Sequence, residues 1–157
     1  MTTTHSNTLA SRANALAELR ALAAQPPTAI ADAFEAAERQ ARLLRDRLPE
    51  PIDPITACLT DLMPTIRVDH VDNLPVAGIS FWGRGQWHIQ VRASDPIDVQ
   101  TLTILHELKH IIDHPLRREY PDLFSDDGWE VLAYHFAVFV LAYEPVHSGI
   151  KRKEEHL

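Results

Sequence analysis

Residues 103–113, TILHELKHIID, place two histidines and a glutamate in an otherwise apolar stretch whose periodicity predicts an α-helix. His106 and His110 then lie four positions apart, so their imidazoles point the same way and can reach one ion at the roughly 2.0–2.1 Å that zinc prefers. Glu107 lies about 100° further round the helix, where it can contact a water on that ion without binding the ion. This HExxH arrangement is typical of zinc metallopeptidases.

A catalytic zinc site has three protein ligands and a water, so a third ligand is required. A histidine six residues beyond His110, as metzincins have, is excluded because Leu116 stands there. Asp113 and His114 continue the same helix and move away from the ion along its axis. Glu130 begins a later helix whose small residues permit close packing, and we predict it as the third ligand, with Asp113 and His114 as alternatives. The competing interpretation is a metal-free buried helix whose histidines form local hydrogen bonds.

The first third of the chain is predicted to be helical. Apolar residues at helical spacing predict helices over about residues 9–24 and 30–48, the second of them behind a Thr28 cap. A proline-rich connector then leads into a short helix, with Asp53 as its N-cap and Pro54 at its first position.

The rest of the chain is predicted to contain a small sheet and two long helices. Asp95 caps and Pro96 opens the histidine-bearing helix, which should end before Pro115 because a residue that precedes proline resists the α conformation. A polar loop over residues 115–128 and a last helix closed by Pro145 follow. We expect an α+β fold with a small antiparallel sheet, built from a hairpin turn at GRGQ and from strands near residues 65–70, 76–82 and 87–92.

Composition and charge narrow the class of protein. A formal charge of −7 argues against direct nucleic-acid binding, which needs a basic surface. Cys58 is the only cysteine, so there is no internal disulfide and any metal must bind nitrogen and oxygen atoms. The longest apolar run, residues 131–143, is shorter than the roughly 20 residues of a membrane span. We therefore expect one cytoplasmic domain that does not enter a membrane.

Two stretches resemble the ImmA/IrrE-type metallopeptidases, which occur with mobile elements, phages and stress regulation. TLTILHELKHIIDHP is similar to the active-site helix of that family. WEVLAYHFAVFVLAYEP is similar to its second signature, in which a glutamate is followed by alanine, phenylalanine and alanine at the spacing of Glu130, Ala133, Phe136 and Ala137. The likeness covers about residues 54–145.

The resemblance implies that His106, His110 and Glu130 bind one zinc ion per chain and that Glu107 is the catalytic base. It implies an endopeptidase that cleaves a specific protein, most simply a helix-turn-helix repressor of a mobile element, phage or stress response. The alternative is a non-proteolytic regulatory protein that binds such a repressor and uses zinc only to hold its fold. The implied organisation is a helical hairpin that is part of the core or packed on it, a zincin-like metallopeptidase domain and a flexible charged tail, at residues 1–48, 49–145 and 146–157.

Several residues depart from the family pattern or have open roles. Lys109 stands where the family commonly has glycine, and we expect its ammonium group to extend to the cleft rim or to compete with the cation. Tyr134 stands where asparagine is common; it either packs against its neighbours or polarises a substrate carbonyl. His135 is expected to be structural. His88 and Arg92 share one face of a strand, which is either a solvated face or the wall of a peptide groove.

Overall fold

Five helices and a three-stranded mixed sheet make up the part of the chain that this computed structural model describes, residues 15–52 and 54–145. The α+β class predicted from the sequence is confirmed. Two predicted features, the start of the first helix at residues 9–14 and the tail at residues 146–157, lie outside the described residues. Pro54, predicted as the first residue of the short helix, holds the capping position that was predicted for Asp53. In chain order the elements are α1 (Ala15–Ala21), α2 (Ile30–Arg47), α3 (Ile55–Leu62), β1 (Ile66–Val71), β2 (Gly78–Gly83), β3 (Gln86–Arg92), α4 (Ile97–Glu119) and α5 (Asp126–Ala142).

The sheet has the strand order β1-β3-β2, with β3 in the centre. β2 and β3 form the predicted hairpin, and its two-residue turn at Arg84 and Gly85 has the positive φ angles of 52° and 77° that suit a type I′ turn. The prediction of a wholly antiparallel sheet was wrong, because β1 pairs with β3 in parallel. The strands alternate in direction along the chain as in a meander, but β3 lies between the other two.

One hydrophobic core joins all five described helices to β1 and β3. α2 packs against α5, and α1 packs against α2 and α4, so the N-terminal helical pair shares this core. Thr28 does not cap α2 as predicted: Ala29 occupies the capping position without a side-chain bond, and the Thr28 hydroxyl donates to the Asp32 carboxylate at 3.2 Å. None of the helices described is long and apolar enough to cross a bilayer.

The predicted start of α4 and the predicted loop before α5 need correction. α4 begins at Ile97 with Pro96 in the capping position, while Asp95 forms an ion pair with Arg92 at 3.6 Å instead of capping the helix. The loop is shorter than residues 115–128 because α4 runs on to Glu119 and α5 begins at Asp126. The Ser125 hydroxyl caps α5 by accepting from the Gly128 N–H at 3.1 Å.

Pro115 does not end α4 but lies inside it. A proline has no N–H to donate to the carbonyl four residues earlier, here that of Ile111. The Arg20 guanidinium of α1 supplies the missing donor, with its Nη2 atom 2.7 Å from the Ile111 oxygen. Burial lowers the pKa of Arg20 from its usual value, which reflects the enclosed position of this group. The contact offsets one cost of a proline inside a helix, the carbonyl left without a backbone donor.

We predict that Arg20→Met lowers the free energy of unfolding by about 1–3 kcal/mol, because the Ile111 carbonyl loses the side-chain donor that replaces the missing N–H of Pro115. Pro115→Ala restores a backbone N–H at that position. In the Pro115→Ala background the same arginine substitution should therefore cost much less, as measured by urea denaturation in a double-mutant cycle. Arg118→Met, at an exposed site on α4, serves as the control. Equal losses in both backgrounds would show that Arg20 acts in another way.

Candidate metal centre

The packing of α5 against α4 brings the three predicted ligands together. His106 Nε2 lies 2.8 Å from Glu130 Oε2, and His110 Nε2 lies 3.0 Å from Glu130 Oε1. The two imidazole Nε2 atoms are 3.2 Å apart. The three side chains form a group, with donor atoms within 4.8 Å of one another, that could hold a metal ion.

The donor set and its spacing fit a small divalent cation. Ligand atoms about 2.0–2.1 Å from a tetrahedral zinc lie roughly 3.3 Å apart, which is close to the separations found here. Two imidazole nitrogens and a carboxylate are a ligand set that catalytic zinc sites use. A cation at this point would also balance the negative charge of the Glu130 carboxylate.

Small residues on α5 allow this approach. Ala133 and Ala137 are completely buried, and they follow Glu130 on the side of α5 that faces its neighbours. Without large side chains at these positions the two helix axes can come close enough for a glutamate to reach both histidines. The Glu130 side chain itself is 57% exposed, so the group lies at the surface of a cleft and not within the core.

Burial sets the charge state of one ligand. It lowers the pKa of His110, although the nearby Glu130 and Glu107 carboxylates act to raise it. The His110 imidazole therefore stays neutral to lower pH than an exposed histidine would. Neutral imidazole is the form that binds a metal.

Glu107 lines a cavity of about 300 Å³ on one side of the metal group, together with Thr103, His106 and Tyr134. The wall opposite α4 is the start of β2, an edge strand of the sheet. A Cβ atom at Gly78 would collide with the Thr103 side chain and lie 3.4 Å from Glu107 Cγ. Glycine at this position therefore lets β2 lie directly against the part of α4 that carries Glu107.

A second cavity, of about 230 Å³, lies on the other side of the group and is lined by Trp87, His110, His114, Arg117 and Glu130, with Ser80 at its edge. Arg117 was not predicted as a site residue, because the helix was expected to end before Pro115. In the continuous helix Arg117 follows His110 by two turns and so lies on the same side. Thr103 and Trp87 were not predicted as site residues either, although Thr103 lies three residues before His106 and so on the same side of the helix.

Neither alternative to Glu130 joins the metal group. His114 packs edge-on against Trp87, with ring centroids 4.9 Å apart, and burial lowers its pKa. Asp113 faces Lys109 and is almost completely buried. Burial raises the pKa of Asp113, and the ammonium group of Lys109 opposes that effect.

Lys109 does not reach the cleft rim as was expected. It is 2% exposed, and its Nζ donates to Asp113 Oδ1 at 2.5 Å and to Gln40 Oε1 at 2.8 Å. Gln40 in turn donates to the Leu19 carbonyl at 2.9 Å. The charge of Lys109 is thus balanced by a carboxylate inside the protein, and it does not face the metal group.

The other residues with open roles separate clearly by position. Tyr134 is 57% exposed and lies at the rim of the Glu107 cavity. His135 points away from the site and packs edge-on against the Phe34 ring at 4.8 Å. His88 and Arg92 lie on the sheet face opposite α4. His88 Nε2 lies 2.8 Å from the carbonyl oxygen of Gly83 in β2, and Arg92 donates to the Leu74 carbonyl at 2.9 Å. His88 and Arg92 do not line the cleft.

Comparisons with protein-family models, with curated proteins and with solved structures find no match for this chain.

Proposed function

We propose that this protein is a zinc-dependent endopeptidase. The observation that supports the proposal is the convergence of His106, His110 and Glu130 on one point beside an open cavity that also holds Glu107. A purely structural zinc site needs a closed set of ligands, and it has no use for a carboxylate next to an accessible position. The two cavities that flank the group leave room for a chain to pass across it.

Glu107 is the general base in this proposal. When bound, zinc supplies a Lewis acid and lowers the pKa of the attacking water toward about 7. Glu107 accepts a proton from that water while the water oxygen bonds to the carbonyl carbon of the scissile peptide. The C–N bond then breaks, and Glu107 passes the proton to the leaving nitrogen. His106 and His110 of α4 and Glu130 of α5 would bind the zinc ion.

The resemblance to the ImmA/IrrE-type peptidases suggests a helix-turn-helix repressor as the substrate and the cytoplasm as the location. The alternative is a regulator that binds a repressor without cutting it, and a Lys109 ammonium group that competed with the cation would favour it. That charge is paired with Asp113 and lies away from the ligand atoms, so Lys109 gives the alternative no support.

The test combines metal content with cleavage. The purified chain should carry about one zinc ion and should produce a new terminus, detected by mass spectrometry, in a helix-turn-helix protein encoded beside it. Glu130→Ala should lose most of the zinc and the cleavage, because the site is left with two ligands. His114→Ala is the matched control and should keep its zinc.

Two results would contradict these assignments. Zinc lost from the His114 variant and kept by the Glu130 variant would show that the third ligand is wrong. Loss of repressor function without any new terminus, equally with the wild type and with Glu107→Gln, would favour the regulator that binds without cutting.

A further inference from the structure

The exposed side of α5 beyond Glu130 is apolar. Val131 is 54% exposed and Tyr134 57%, and Val138 and Leu141 are both 40% exposed. The remaining exposed residue of this part of the helix is Ala142. A surface helix normally directs charged and polar side chains to water, and here only the tyrosine hydroxyl is polar. We call residues 131, 134, 138 and 141 the α5 stripe.

The spacing of the α5 stripe indicates what can cover it. Its members follow at intervals of three, four and three residues, which is the seam spacing of paired helices. Such a narrow row of anchors is how an amphipathic helix is recognised by a partner surface. An extended strand would need backbone groups to pair with, and the backbone of α5 is already bonded within the helix.

We propose that the α5 stripe docks an amphipathic helix of the substrate protein, an inference that rests on the proposed peptidase function. The stripe is continuous with the active-site cleft, since Tyr134 belongs both to it and to the cavity that holds Glu107. A helix seated on the stripe would therefore place the chain that leaves its end beside the metal group.

The charge of α5 defines the chemistry of that helix. α5 contains no lysine or arginine, the exposed Asp127 lies one turn before Val131, and the whole chain carries a formal charge of −7. The other two acidic residues of α5 are already partnered, Asp126 with Arg117 and Glu130 within the metal group. A partner helix with lysines or arginines beside its apolar face is therefore favoured over an acidic one. Helices that contact DNA phosphates carry such basic residues, which agrees with a DNA-binding protein as the substrate.

A second copy of this chain fits the stripe less well. Four partly exposed side chains amount to about a few hundred Å², whereas a stable interface buries about 800 Å² on each partner. The sequence after the described residues, VHSGIKRKEEHL, is mostly charged and polar and offers no matching apolar row.

The experiment measures binding without cleavage, using the full zinc-loaded chain with Glu107→Gln. The probes are two labelled synthetic peptides of three heptads with leucine at the a and d positions, one with lysine and one with glutamate at e and g. We expect the lysine peptide to bind at least about ten-fold more tightly, by fluorescence anisotropy. The pair Val138→Lys and Leu141→Lys should weaken its binding by about ten-fold or more.

The matched control is the pair Ile30→Lys and Ile97→Lys, which makes the same charge change at exposed isoleucines on α2 and α4. Equal loss with both pairs, or equal affinity for both peptides, would overturn the docking proposal. So would a wild-type dimer in analytical ultracentrifugation that the stripe variant dissociates, because the stripe would then be covered by a second copy. A wild-type chain that cuts no protein would refute the peptidase function and leave these binding results standing.

Discussion

Replacement of Glu107 by glutamine is expected to lower kcat/KM for peptide hydrolysis by about 10²–10⁴-fold, the contribution typical of general acid–base catalysis. The amide has the same shape as the carboxylate and can fill the same place in the cavity beside Thr103 and Gly78. It cannot accept the proton of the attacking water. Because Glu107 is not one of the three converging ligands, zinc content and thermal stability should stay close to those of the wild type.

Glu119→Gln is the matched control for this substitution. It makes the same chemical change on an exposed residue at the far end of α4 and should leave hydrolysis unaltered. Zinc content by elemental analysis and cleavage rate should be measured on the same preparations of all three proteins. Cleavage by the Glu107 variant at the wild-type rate would eliminate the proposed mechanism, and loss of zinc from that variant would instead point to a role in metal binding.

Lys109→Met is expected to lower the free energy of unfolding by about 3–5 kcal/mol, the cost of breaking a buried ion pair by removing one partner. Asp113 would then keep a buried carboxylate with no cation beside it. Burial already raises the pKa of Asp113 against the opposing effect of Lys109, so removal of the Lys109 ammonium group should raise that pKa further. A raised pKa favours folding of the protonated form, and the destabilisation should therefore be smaller in acid and grow as the pH rises through that pKa.

A double substitution distinguishes the ion pair from a simple packing defect. Lys109→Met with Asp113→Leu removes both charges, and it should recover most of the stability lost by the single variant. Chemical denaturation of the chelator-treated proteins measures this without a contribution from bound metal. Arg118→Met, exposed on the same helix, should change the stability by less than about 0.5 kcal/mol. A double variant as unstable as the single one would mean that the pair matters through its packing.

The histidine pair could be predicted from sequence because its geometry is local. Positions four apart on a helix lie on one side whatever the rest of the fold does, and His106 and His110 meet this condition. Glu130 required a non-local inference, which the small residues Ala133 and Ala137 made possible. Their complete burial shows that this part of α5 was correctly assigned to a helix interface.

The end of α4 could not be predicted because its cause is a tertiary contact. A proline inside a helix restricts the residue before it and leaves the carbonyl four residues earlier without a backbone donor. The second of these costs disappears when another group supplies the donor. Arg20, 91 residues away in sequence, donates to the Ile111 oxygen and removes that penalty. The error also hid Arg117, which becomes a residue of the site only when α4 continues past Pro115.

The order of the strands and the position of Lys109 were also beyond the sequence patterns. Alternation of apolar residues identifies strands but does not say which two are neighbours, so β3 was not recognised as the central strand. Lys109 was expected to extend to the cleft rim or to compete with the cation, because lysines are seldom buried without a partner. Its partners, Asp113 and Gln40, come from one turn further along α4 and from a different helix.

The hydrogen bonds from Leu19 through Gln40 to Lys109 bear on how this fold can change in evolution. They tie the first helical pair to the residue that directly precedes the ligand His110, and Arg20 makes a further tie to the same helix. Loss of the first helical pair would remove the Gln40 partner of the buried Lys109 and the Arg20 donor to the Ile111 carbonyl. The N-terminal helices therefore cannot be exchanged as a unit between related proteins unless Lys109 and Pro115 change with them. We expect Arg20, Gln40, Lys109 and Pro115 to vary together across lineages.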